Sequence, residues 1–192
     1  MVKLDYSLIA DIATLIVLIF SVYLLSRQIS KDHTWKRRKA AQDITNDIMK
    51  GEIFEIRKEL HKFARFYDTS ETYENVITKL TEEERNELDF LLKIYLSYFE
   101  GIGLGIKHKI YDEDILYEYM SAIIPDTFRW SKKYIDDLRD KAGDHRIFCE
   151  LIFLETKWRN KNEKLENEWN KKLKERKEKD INDMVGKGKK PT

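Results

Sequence analysis

The chain has 192 residues, with 36 Lys/Arg against 35 Asp/Glu and a net charge of +1, a length that allows one domain, or one domain plus an anchor. Only two prolines and seven glycines interrupt it, and 37% of its residues are charged, a composition suited to long amphipathic helices. Cys149 is the only cysteine, which excludes an intramolecular disulfide and a cysteine zinc cluster, while ten Tyr, nine Phe and four Trp argue against wholesale disorder.

The first element runs from Tyr6 to Leu25, YSLIADIATLIVLIFSVYLL, twenty residues with one charge. As a helix it is about 30 Å long, the thickness of a bilayer core. This reading makes residues 1–5 a short extracytoplasmic N-terminus and 6–26 a transmembrane helix. Asp11 is the one intramembrane polar residue; it snorkels to the interface or contacts a partner helix. A cleaved signal peptide fits poorly, because Ser21-Val-Tyr23 and Ser26-Arg-Gln28 are weak cleavage sites and the flank is basic. Only Lys3 precedes the span, whereas Arg27, Lys31, Lys36, Arg37, Arg38 and Lys39 follow it. The positive-inside rule then places the C-terminal side in the cytoplasm of an inner-membrane protein.

Charge is segregated along the rest of the chain. Residues 27–65 carry eleven basic and six acidic side chains, residues 66–154 eleven and nineteen, and residues 155–192 thirteen and eight. The run Trp35, Lys36, Arg37, Arg38 and Lys39 fixes topology and contacts anionic headgroups, at about 1 kcal/mol per basic residue near the surface. Nucleic acid is not an expected partner, since such a patch would need these charges on a soluble protein.

Residues 27–67 read as a basic juxtamembrane helix, with an apolar stripe of Ile44, Ile48, Ile53, Ile56, Leu60, Phe63 and Tyr67. Gly51 is its weak point. Residues 68–79 read as a loop with a short turn. A bundle domain then spans 81–175. Thr81-Glu-Glu-Glu84 is a capping box, and Leu88, Leu92, Tyr95, Phe99, Ile102 and Ile106 form the stripe of a central helix. Asp112 caps the next helix, Pro125 sits in the first turn of another, and that one stops near Gly143. Asp144 is expected to cap a last long helix with Ile147, Leu151, Leu154 and Trp158 facing inward. Residues 176–192 read as a basic disordered tail. The fold class is all-α: one transmembrane helix followed by a cytoplasmic bundle of four or five helices.

No zinc-binding HExxH, paired CxxC, Walker loop or GxSxG elbow occurs, and His33, His61, His108 and His145 are dispersed. Cys149, beside Phe148 and Leu151, reads as a small buried hydrophobe. The candidate ligand or packing site is Glu100, Gly101, Gly105, His108 and Asp112. Gly101-x-Gly103 resembles the start of a nucleotide fingerprint, but no strand precedes it. The packing reading puts Gly101 and Gly105 on one helical face, opening a groove for another backbone. A metal site from Glu100, His108 and Asp112 is geometrically conceivable, yet carboxylates near helix starts normally serve as caps. No catalytic set, metal or cofactor is assigned.

The residues Tyr95-Leu-Ser-Tyr-Phe-Glu100, Gly105-Ile-Lys, Ile110-Tyr-Asp112-Glu-Asp114, Ser121-Ala-Ile-Ile124, Trp130, Tyr134-Ile135 and the Leu154/Trp158 end resemble a bacterial and prophage-borne family, domain of unknown function 4760. Its members are typically small proteins with one N-terminal span and a collar similar to Trp35–Lys39. The resemblance implies topology and a helical fold, and supplies no activity. Glycines at 101 and 103 and Pro125 depart from the pattern.

The reading favoured by these features is a membrane-tethered helical interaction protein. Its partners are the anionic bilayer and an unknown cytosolic protein or a second copy, with phage exclusion or stress response suggested by the genomes such families occupy. The alternatives are a ligand sensor or enzyme using the Glu100–Asp114 region, and a membrane-perturbing effector that oligomerises through the span and depends on Asp11.

Overall fold

The computed structural model describes residues 6–63 and 72–187, with side chains described for 10–63 and 72–179. The expectations for residues 1–5, Tyr67, the loop start at 68–71 and the end at 188–192 lie outside the described residues. Seven helices and no strand are found among the described residues.

Helix α1 spans Tyr6–Lys50, 45 residues without a break. The span 6–26 and the start of the juxtamembrane segment are therefore one helix, not two, because neither glycine nor proline occurs between Tyr6 and Lys50. The break comes at Gly51, as its propensity predicts. There the Gly51 N–H donates to the Asp47 carbonyl at 2.8 Å, and Asp47 Oδ1 accepts from the Glu52 N–H at 3.1 Å. A Cβ at Gly51 would lie 2.8 Å from Asp47 Cα, so the tight turn excludes other residues. Asp47 thus opens α2, Glu52–Phe63.

The environment of α1 changes along its length. Residues 10–36 are exposed throughout, including Leu15, Ile16, Val17, Phe20 and Leu25. From Arg37 onward the helix is packed, with Ala41, Thr45 and Ile48 buried. The bundle therefore begins inside α1 and includes α2 through Ile53 and Leu60; it does not begin at residue 81.

After α2 come α3 (Tyr73–Ile77), α4 (Glu82–Lys107), α5 (Glu113–Met120), α6 (Ile123–Ala142) and α7 (Cys149–Lys187). Six helices follow α1 among the described residues, where four or five were expected. The excess comes from α2, which the break at Gly51 separates from α1, and from α3, five residues long, where a loop with a short turn was expected. Helix α4 is central, packed against α2 and α7; α6 also lies on α7, and α5 lies on α1. Leu88, Leu92, Tyr95, Phe99 and Ile102 are buried in the expected rhythm, and Ile106 is half-buried. Leu92 is fully buried, so truncating it to Ala would cost about 2–5 kcal/mol. Thr81 and Glu84 form the expected reciprocal capping box.

Helix α7 is held by Leu151, Leu154 and Trp158 and then runs on with most side chains exposed. Ion pairs at i,i+4 support this stretch, such as Arg159 with Glu155 at 2.8 Å. The helix extends to Lys187, so residues 176–187 are helical where a disordered tail was expected; their alternating charge suits a solvated helix.

Candidate functional site

The predicted site residues fall around the C-terminal half of α4, where α4, α7, α5 and α1 meet. Helix α7 needs partners for its first N–H groups. Asp144 does not supply them. It accepts instead from the Arg146 backbone N–H at 2.9 Å and from Arg146 Nε and Nη2 at 3.0 Å, and the Arg146 hydrogen bonds hold its carboxyl down at about 2. Gly143 ends α6 in the left-handed region at φ 63, and Phe148, at φ 56, redirects the chain into α7. The cap arrives from another helix: Glu100 of α4 accepts the Leu151 N–H at 2.7 Å and the Glu150 N–H at 3.2 Å. A half-buried carboxylate on a positive helix end is favourable on two counts, the hydrogen bonds and the dipole.

The glycines divide differently from the expected Gly101/Gly105 face. Gly101 is exposed with nothing within 4 Å of a would-be Cβ. Gly103 is the point of close approach, where a Cβ would sit 2.8 Å from the Glu150 carbonyl oxygen. Gly105 admits the Tyr111 ring, and its carbonyl accepts from the Ile110 N–H at 2.8 Å. The groove thus runs past Gly103, between the two glycines that share a face.

His108 forms the exposed end of α4, its N–H donating to the Leu104 carbonyl at 3.0 Å. Asp112 caps α5 through the Ile115 N–H at 3.4 Å. Glu100 and Asp112 therefore serve two different helix ends. Among the described residues no three His, Cys, Asp or Glu side chains converge as a metal set would.

The basic collar is also divided. Trp35 is exposed, with Lys39 Nζ 5.4 Å above its ring, and Lys36 pairs with Asp32 at 2.7 Å. Arg37 and Arg38 turn to the domain. Arg37 donates to the Tyr111 carbonyl at 3.2 Å, its own carbonyl accepts the Asp112 N–H at 3.3 Å, and Arg38 Nε meets Asp112 at 3.3 Å. Two of the five expected headgroup contacts thus clamp the α4–α5 connection onto α1. Asp11 is exposed on the apolar stretch of that helix.

Cys149 is exposed, not buried, because α7 begins at it on the outer side of the Glu100 cap. Its Sγ lies 3.8 Å from Glu100 Oε1. Partial burial first, then the Glu100 and Glu150 carboxylates, push the thiol up, the opposite of what an activated nucleophile requires. Sequence reasoning also missed Glu113, which accepts from Trp158 Nε1 at 3.1 Å and from Lys157 at 2.7 Å. A fully buried Trp needs an acceptor for its N–H, and that need was the available signal. Chemically, the region is an assembly of caps and clamps that fixes four helices together.

A family model described as domain of unknown function (DUF4760) matches residues 8–158, from inside the apolar run to Trp158, and the chain belongs to that family. No curated protein and no solved structure matches the chain.

Proposed function

We propose that this member of the DUF4760 family is a single-pass protein of a bacterial inner membrane, whose bundle acts on the cytoplasmic face as a non-catalytic docking domain. The observation that carries the reading is the N-terminal half of α1, long and apolar enough to cross a bilayer, with no part of its apolar window buried. Each large apolar side chain left in water costs about 1.5–3 kcal/mol relative to burial. Eleven such residues from Ile12 to Leu25 are exposed by half or nearly so, which is more than an isolated domain tolerates.

Helix geometry refines the role of the collar. Arg27 and Lys31 stand about 3 and 9 Å beyond Leu25 along the axis, whereas residues 35–39 stand about 15–21 Å beyond it. The headgroup layer adds only about 5–8 Å to the hydrocarbon core. Arg27 and Lys31 are then the headgroup contacts. Residues 35–39 feel the surface potential, which fades over a Debye length of about 8 Å.

Docking follows from the site geometry: Glu100 and Asp112 are occupied by helix ends, and the thiol is deactivated, so a recognition role fits better than catalysis. The test is made on the native chain. It should stay in the membrane pellet after carbonate extraction, and Cys149 should react with a membrane-impermeant maleimide only after the cytoplasmic side is opened. Release by carbonate, or labelling of intact spheroplasts, would overturn the anchor or its orientation. Crosslinking and solubilisation that yielded neither partner nor oligomer would overturn the docking role.

A further inference from the structure

A pocket of about 470 Å³ opens where α1, the end of α4, α5 and α7 meet; Arg37, Lys107, Lys109 and Lys157 line it, with Glu113 and Phe153. Its size lies within the range of small-molecule sites. Two features mark it as more than a solvated crevice. First, the charges do not cancel: Glu113 answers Lys157, and Glu150 pairs with Lys107, which leaves Arg37 and Lys109 uncompensated and the pocket near +2. Secondly, Arg37 Nε is buried without a partner while the other end of the guanidinium holds the Tyr111 carbonyl; a buried N–H aimed at no acceptor is costly and calls for one. Lys109 itself ends α4 in the left-handed region at φ 57, with its N–H donating to the Ile106 carbonyl at 3.0 Å and the Ile110 N–H to the Gly105 carbonyl at 2.8 Å, so the helix end sets its backbone. Among the described residues its ammonium is in no hydrogen bond or ion pair.

The geometry points to a binding site for a phosphate monoester, with Arg37 and Lys109 as the principal ligands of the dianion and Phe153 beside the organic group. A phosphate monoester carries close to two negative charges at neutral pH, the charge the pocket lacks. Its oxygens accept charge-assisted hydrogen bonds of the kind a guanidinium and an ammonium donate. The source is a soluble ester, not a lipid headgroup, because Arg37 lies about 18 Å beyond Leu25 along α1, outside the headgroup layer. The inference does not depend on a docking role for the domain.

The experiment uses the full chain in neutral phosphatidylcholine nanodiscs, titrated calorimetrically with inorganic phosphate as the probe. Saturable one-site binding is expected. Lys109→Asn, which keeps a residue tolerant of positive φ, should weaken it about tenfold or more, as loss of a charged hydrogen bond does. Lys164→Asn, on the exposed part of α7, should leave it unchanged. No saturation, or equal weakening by both variants, overturns the site. A second arm adds phosphatidic acid to the nanodiscs. Undiminished phosphate binding there supports a soluble ester, and loss of it overturns that source and assigns the site to the headgroup.

Discussion

Replacing Glu100 by Ala removes the cap that α7 receives from α4. Two hydrogen bonds to an ionised acceptor are lost, one short at 2.7 Å and one at 3.2 Å. Charged hydrogen bonds contribute about 1.5–3 kcal/mol each, and a side-chain N-cap replaced by Ala costs about 0.5–2 kcal/mol. Because Glu100 is half-buried and water can replace part of the loss, about 2–4 kcal/mol is the expected destabilisation. For a domain of this size that lowers the thermal midpoint by about 5–15 °C. Glu100→Gln keeps one acceptor oxygen without the charge and should fall roughly midway. Thermal unfolding in nanodiscs measures the size, and amide exchange measures the place: the Glu150 and Leu151 N–H groups should lose protection before the α4 core does. An unchanged midpoint in Glu100→Ala, with those two amides still protected, would refute the assignment of Glu100 as the cap.

The glycines should respond with opposite signs. Gly103→Ala drives a Cβ into the Glu150 carbonyl and should cost about 1–3 kcal/mol, whereas Gly101→Ala faces open space and should stabilise by about 0.5–1 kcal/mol; chemical denaturation of the two variants side by side reads both. Burial, followed by the carboxylates of Asp89 and Asp137, pushes the Tyr73 phenol up to about 12. Its folded pKa lies above the unfolded value near 10, so its contribution is complete below pH 10 and is lost between pH 10 and 12, and tyrosinate absorbance should rise there together with loss of helical circular dichroism. Asp144 has the reverse sign: held at about 2 by Arg146, it favours the fold above the usual carboxylate range and stops doing so as pH falls from about 4 to 2. Carbon-detected titration should find that midpoint near 2, and Arg146→Gln should return it to the usual range.

The legible parts of this molecule are local ones. The α4 stripe, the Thr81–Glu84 box, the Asp112 cap, the break at Gly51 and the place of Pro125 all depend on residues a few positions apart. What misled was a local signal with a distant competitor. Asp144 has the residue type and position of a cap, but Arg146, two residues on, takes its carboxylate, and the cap comes from Glu100, fifty residues earlier. Gly101 and Gly105 share a helical face by spacing, yet spacing does not say where the partner backbone crosses; it crosses at Gly103. Arg37 and Arg38 read as membrane charges because their sequence neighbours are basic. Only the fold of the α4–α5 connection back onto α1 shows that they serve the domain.

The continuity of α1 has a mechanical consequence. From Leu25 to Lys50 the helix reaches about 38 Å with no glycine or proline to act as a joint. A 10° change in the tilt of the apolar half of α1 would therefore swing Lys50, and the helices docked beside it, by about 6.5 Å. Tilts of this size accompany ordinary variation in bilayer thickness, so under the proposed membrane placement the height and attitude of the domain would register the thickness of the membrane below it.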